Sequence, residues 1–209
     1  MKLFPARYGP RVGLAHGGSL GIPNSAEGLA KTQDALDYAR KLHAGQSRKD
    51  EGGPFILHPR EVASLLYAAG APDHVIAAGA LHDVIEKTPA VAFDLRSRFG
   101  SRVAAIVVAL SEDRHIAGYG ARKAALRDQA SEAGEEALMV FAADKVSKVR
   151  ELRRAGGEGR PRKRRLVHYR QCLTLLQERL PDSPLVAQLD AELERVLRDS
   201  RELAPARVT

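Results

Sequence analysis

Cysteine is almost missing from this sequence: Cys172 is the only one in 209 residues. An intrachain disulfide is therefore excluded, and a reducing, cytoplasmic compartment is the expectation. Tryptophan is absent and aromatic residues make up 5% of the chain, too few for the stacking platforms that hold single-stranded nucleic acid. No apolar run approaches the roughly 18 residues that a membrane span needs, and residues 1–7 lack the apolar segment of a secretory signal. No segment alternates apolar and polar residues over a strand's length. Gly13, Gly17, Gly18 and Gly21 do not make a phosphate loop, because no Gly-Lys-Ser/Thr follows them. What is present is 44% hydrophobic residues, enough for one domain with a C-terminal extension. The formal net charge of +7 points to an anionic partner.

The pattern along the chain is helical throughout. Residues 1–24 are rich in Gly and Pro and read as a loose arm. Residues 25–180 read as one domain, and residues 181–209 as a C-terminal helix and tail. A first helix is expected over residues 25–44, with Asn24 and Glu27 at capping-box spacing. A polar loop follows, carrying Arg48 and Lys49. Pro59 then opens a helix to residue 69, leaving His58 at its entrance. Asp73 is read as the cap of a central helix that runs to residues 86–88. Pro89 starts a short helix that Gly100 closes, an apolar helix covers residues 103–110, and Arg122 and Lys123 open another. A long helix spans residues 135–153, and two amphipathic helices cover residues 163–180 and 183–203. The expected fold class is all-α.

Chemistry concentrates at Leu81-His82-Asp83-Val84-Ile85-Glu86-Lys87-Thr88, where an apolar helix suddenly acquires ionisable groups. Unpaired buried charge is expensive. An Asp83–Lys87 pair at i, i+4 is one explanation, and a metal ion is another. His58 and Asp144 stand on two further apolar helices, and Asp144 has an alternative partner of its own in Lys148, four residues on. Two imidazoles and two carboxylates suit Mn, Fe, Co or Zn better than Ca or Mg. Such an ion lowers the pKa of water and polarises a phosphoryl oxygen, and Glu86 could accept the proton released.

The succession Gly45-Gln46-Ser47-Arg48-Lys49, Pro54-Phe55-Ile56-Leu57-His58-Pro59, Leu81-His82-Asp83-Val84-Ile85-Glu86 and Ala143-Asp144-Lys145 resembles the hydrolase domain of RelA/SpoT-type alarmone enzymes. It is more closely similar to the stand-alone small alarmone hydrolases of the HD superfamily. The resemblance covers about residues 30–172. It implies an HD-domain helical bundle with additional C-terminal helices, one divalent ion (usually Mn2+), and removal of 3′-pyrophosphate from a guanosine alarmone or a related nucleotide. By the same resemblance the metal ligands fall on His58, His82, Asp83 and Asp144. The phosphate and base contacts fall on Arg48, Lys49, Arg165 and Tyr169, the last two sharing a helix face at i, i+4.

Two positions depart from the family pattern. Lys87 stands where an Asp is usual, and Lys148 where an Asn is usual. Both are counted in the site, Lys87 beside the base Glu86 and Lys148 among the substrate contacts. Three functions stay open at this point: a phosphohydrolase acting on a phosphorylated nucleotide, a degenerate HD domain that binds metal and nucleotide without turnover, and a nucleic-acid binder using residues 161–165. The third has no zinc-finger spacing and no interleaved aromatics to support it.

Overall fold

The computed structural model describes residues 28–48, 52–156 and 159–202. The expected arm, the Asn24–Glu27 pair and Lys49 lie outside them. Among the described residues the chain is all α, with ten helices and, in place of strands, one isolated bridge between Ser47 and Pro54.

Helix α3 (Asp73–Leu81) lies at the centre, with every residue from Val75 to Leu81 buried. A helix apolar on all sides must be enclosed on all sides. It is enclosed by α1 (Ala30–Leu42), α2 (Leu57–Ala68), α6 (Ser101–Ala109) and α8 (Glu135–Ala155). Gly79 permits the closest of these approaches. A Cβ there would fall 2.3 Å from Leu66 Cδ1 and 3.3 Å from Val62 Cγ1, and both side chains are wholly buried on α2. Gly79→Ala is therefore expected to destabilise the protein by about 1–2 kcal/mol, overpacking outweighing the helix propensity gained. A fall in melting temperature checks this, and a rise would show that Leu66 can turn aside.

The second inner element is α8, buried without interruption from Ala137 to Ser147. Helices α7 (Tyr119–Glu132), α9 (Arg160–Arg179) and α10 (Pro184–Glu202) pack against it from outside. The pair α5 (Ala92–Phe99) and α6 share Gly100 as their hinge, at φ 90°, a value that favours glycine. A four-residue helix, α4 (Val84–Lys87), completes the set.

Several local expectations are corrected. The described first helix begins at Ala30, because Gly28 at φ 86° breaks any longer one. Asp73 does not cap its own helix, since Pro72 occupies that place. Its carboxylate instead accepts hydrogen bonds from the backbone N–H groups of Lys31 and Thr32 at 3.0 and 2.9 Å, and from the Thr32 hydroxyl at 2.6 Å. It thus caps α1 from a distance. The central helix does not run on to Glu86. It stops at Leu81, turns through His82 and Asp83, and restarts as α4. Helix α2 begins at Leu57, so Pro59 is its third residue, and the short helix after Pro89 begins at Ala92.

The basic stretch is partly structural. Arg162 donates through Nη1 to the carbonyls of Leu152 (2.6 Å) and Gly156 (2.9 Å), closing the C-terminal end of α8. Arg164 lies over the Tyr119 ring at 4.1 Å. Both placements weaken the case for a nucleic-acid surface.

Candidate metal centre and active site

Three segments bring four donors to one buried point. His58 comes from the first turn of α2, His82 and Asp83 from the turn between α3 and α4, and Asp144 from the middle of α8. The turn matters, because neighbours on a continuous helix splay by about 100°, whereas here both approach the same place. His58 Nε2 and His82 Nε2 are 3.1 Å apart. Asp144 Oδ1 lies 3.2 and 3.4 Å from them, and Asp83 Oδ2 lies 3.6 and 3.5 Å from them.

The outer nitrogens fix the tautomers. His82 Nδ1 is 2.7 Å from the Gly79 carbonyl oxygen, which can only accept, so Nδ1 carries the hydrogen and Nε2 faces inward with its lone pair. His58 Nδ1 is 2.9 Å from Ser147 Oγ. The Ser147 hydroxyl donates to Glu61 Oε2 at 2.7 Å, so it must accept from His58, and His58 Nε2 also presents a lone pair. Two lone pairs at this distance repel unless a cation lies between them. Among the described residues, nothing donates a hydrogen bond to Asp83 Oδ2 or Asp144 Oδ1, although both are buried. Lys148 Nζ stands 2.9 Å from Asp144 Oδ1, yet its hydrogen bond goes to Oδ2 at 3.1 Å. Donors about 2.1 Å from a shared ion stand about 3.0–3.5 Å apart. His58, His82 and Asp144 present a donor group that could hold a divalent metal, and Asp83 Oδ2 adjoins both imidazoles.

The electrostatics agree. Burial would raise the pKa of Asp83, but His82, Lys148 and Lys87 hold it far below the carboxylate range. Burial opposes ionisation of Asp144 as well, and Lys145 and Lys148 overcome it. His58 is pushed down by burial. Burial also depresses His82, but Asp83 and Asp144 outweigh it and the net shift is upward. The carboxylates thus draw positive charge to the imidazole nitrogens, and a divalent ion would supply it.

Around this centre, Glu86 lines a narrow cleft with Glu112, Phe141, Lys145 and Lys148. Among the described residues Glu86 has neither a salt bridge nor a side-chain hydrogen bond. Lys87 turns to Asp83 Oδ1 at 3.7 Å and lies over the Phe55 ring at 5.4 Å. The Asp83–Lys87 pair and the Asp144–Lys148 pair both form, and they coexist with the inward donor set. The loop after α1 is tied down beside them. Gln46 donates to the Lys87 carbonyl at 2.9 Å, and Phe55 packs against His43 and His58. Arg48 is buried, its Nη2 2.9 Å from Glu151 on α8. Tyr169 is buried on α9, its hydroxyl pKa raised by burial and within the fields of Lys148, Asp144 and Arg165.

Two cleft residues were missed in the sequence. Lys145 is fully buried, 2.5 Å from Asp144 Oδ2 and over the Phe141 ring at 4.2 Å. A lysine within an apolar run was its only signal. Glu112 forms ion pairs with Arg122 (3.0 Å) and Lys123 on the first turns of α7. Nothing in its local sequence marked it.

The fold and this centre define an HD-domain phosphohydrolase, and the chain belongs to that family: the HD domain family model matches residues 35–169. Its relatives sharpen the comparison. The human guanosine-3′,5′-bis(diphosphate) 3′-pyrophosphohydrolase MESH1 is 35% identical over 133 residues, 62% of this chain and 74% of the human protein. The Danio rerio MESH1 is 34% identical over 129 residues, 60% of this chain and 71% of the fish protein. Among solved structures, a metazoan SpoT ortholog described as hydrolysing ppGpp superimposes with a TM-score of 0.69 at 26% identity, covering 82% of this chain and 96% of that one. No helix among the described residues is long and apolar enough to cross a membrane.

Proposed function

We propose that this protein removes 3′-pyrophosphate from a guanosine alarmone, (p)ppGpp, in the cytoplasm, with Mn2+ as its ion. The observation that carries the reading is the convergence of His58, His82, Asp83 and Asp144, with Glu86 lining the cleft beside them. An ion held there would act as a Lewis acid towards a phosphoryl oxygen and favour ionisation of the attacking water. Glu86 is the general base that takes the proton from that water. Lys148, Arg165 and Tyr169 bind the phosphates from α8 and α9, and Lys49 adds a cation from the loop. Arg48 shapes the substrate mouth by pinning that loop to Glu151.

The test is direct. Incubation of purified protein with ppGpp and Mn2+ is expected to yield guanosine 5′-diphosphate and pyrophosphate, resolved by anion-exchange chromatography. No product, with ppGpp bound, would instead establish a binding module.

A specific observation favours that second reading. Lys87 and Lys148 set ammonium groups against both metal-facing carboxylates, which aids phosphate binding without helping to accept a proton. Lys87→Asp is therefore expected to raise alarmone turnover at least about tenfold, ~1.4 kcal/mol of barrier. If Lys87 instead grips an extra phosphate of a different substrate, Lys87→Asp slows turnover of that substrate, and a panel of nucleotides turned over by both proteins identifies it.

A further inference from the structure

Behind His58 a chain of hydrogen bonds leads away from the centre to the C-terminal helix. His58 Nδ1 donates to Ser147 Oγ at 2.9 Å, and Ser147 donates to Glu61 Oε2 at 2.7 Å. The other oxygen of Glu61, Oε1, receives Arg150 Nη1 at 3.2 Å. Arg150 Nε in turn donates to Glu192 Oε1 on α10 at 3.0 Å, and Arg195 donates to the same oxygen at 2.9 Å. Ser147 is completely buried and Glu192 nearly so. A buried hydroxyl is costly unless satisfied, and the contacts to His58 and Glu61 satisfy Ser147 in one direction only, while Glu192 Oε1 takes both guanidinium donors. Reversing the Ser147 hydroxyl would set its hydrogen against His58 Nδ1–H and leave Glu61 Oε2 without a donor.

We propose that Ser147 and Glu61 are positioning residues for the metal centre. Ser147 relays the negative charge of Glu61 to His58 Nδ1–H, and Arg150, anchored by Glu192, holds Glu61 in line. The relay locks the His58 tautomer with Nε2 facing inward, and it raises the donor strength of that nitrogen. The proposal rests on the reading of the four inward donors as a metal site. It adds a dependence on residues that touch neither ion nor substrate. Partners of this kind behind a ligating imidazole are typically worth 10–100-fold in metal affinity.

The experiment is calorimetric titration of metal-stripped protein with Mn2+, alongside melting of the stripped proteins. Ser147→Ala is expected to weaken Mn2+ binding 10–100-fold. Glu61→Gln keeps an acceptor for Ser147 but loses the charge, and is expected to weaken it several-fold. Ser147→Thr restores the hydroxyl and is expected to recover most of the affinity. Where Ser147→Ala fails to fold, the Glu61→Gln value decides alone. Mn2+ affinity within twofold of wild type in the folded variants, whatever their melting temperatures, would reduce both residues to packing and overturn the proposal. Wild-type protein that binds no divalent ion would overturn the metal reading itself, and this proposal with it.

Discussion

Alanine in place of His82 is expected to strip the divalent ion from the purified protein and to cut phosphohydrolase turnover at least about a thousandfold, equivalent to ~4 kcal/mol. His82 supplies one of two inward nitrogens, and its Nε2 lies within 3.5 Å of His58, Asp83 and Asp144 donors. Without it, His58 alone faces two carboxylates whose charges Lys87, Lys145 and Lys148 already offset. The bundle should survive. His82 follows the last residue of α3, and Gly79 O loses one side-chain donor without losing a core contact. Elemental analysis with circular dichroism decides the matter. Metal content equal to that of the wild type would place the ion elsewhere.

Glu86→Gln is expected to lower turnover by about 10²–10⁴-fold while leaving metal content and Mn2+ affinity as they were. The amide keeps the size of the side chain and can still hydrogen-bond a water, but it cannot take a proton from it. Glu86 is half-exposed at the cleft, adjoining His82, Asp83 and Asp144 in its lining. The split between intact metal binding and lost turnover separates this substitution from His82→Ala. Turnover within threefold of wild type would assign the base to another group, and Glu112, in the same cleft, would be the next to replace.

The candidate donors stood out in the sequence because each interrupts an apolar helix: His58 before Pro59, His82-Asp83 after Leu81, and Asp144 within the run around Phe141. Burial makes such interruptions costly, so they stand out. The helices were legible for a related reason, since a 3.6-residue apolar period is written locally. What escaped was written over long distances. The carboxylate of Asp73 looked like the cap of its own helix, but its partners lie 41 and 42 residues earlier. The break after Leu81 escaped too, because His and Asp are tolerated in a helix and only the packed site demands the turn. Glu112 acquired meaning from Arg122 and Lys123 on α7, and Lys145 from the cleft it shares with Glu86 and Glu112. The Ser147–Glu61 contact spans 86 residues, and no spacing rule reaches that far.

The distant cap on α1 bears on how the chain is made. A helix of thirteen residues is marginal in water by itself, and this one lacks a side-chain cap from its own N-cap residue. During synthesis it leaves the ribosome about forty residues ahead of the aspartate that satisfies its first amides. Until Asp73 emerges, the N–H groups of Lys31 and Thr32 have only water, and the helix has no fixed starting point. It settles when the central helix arrives to hold it, so the earliest described helix of the polypeptide is completed by the third.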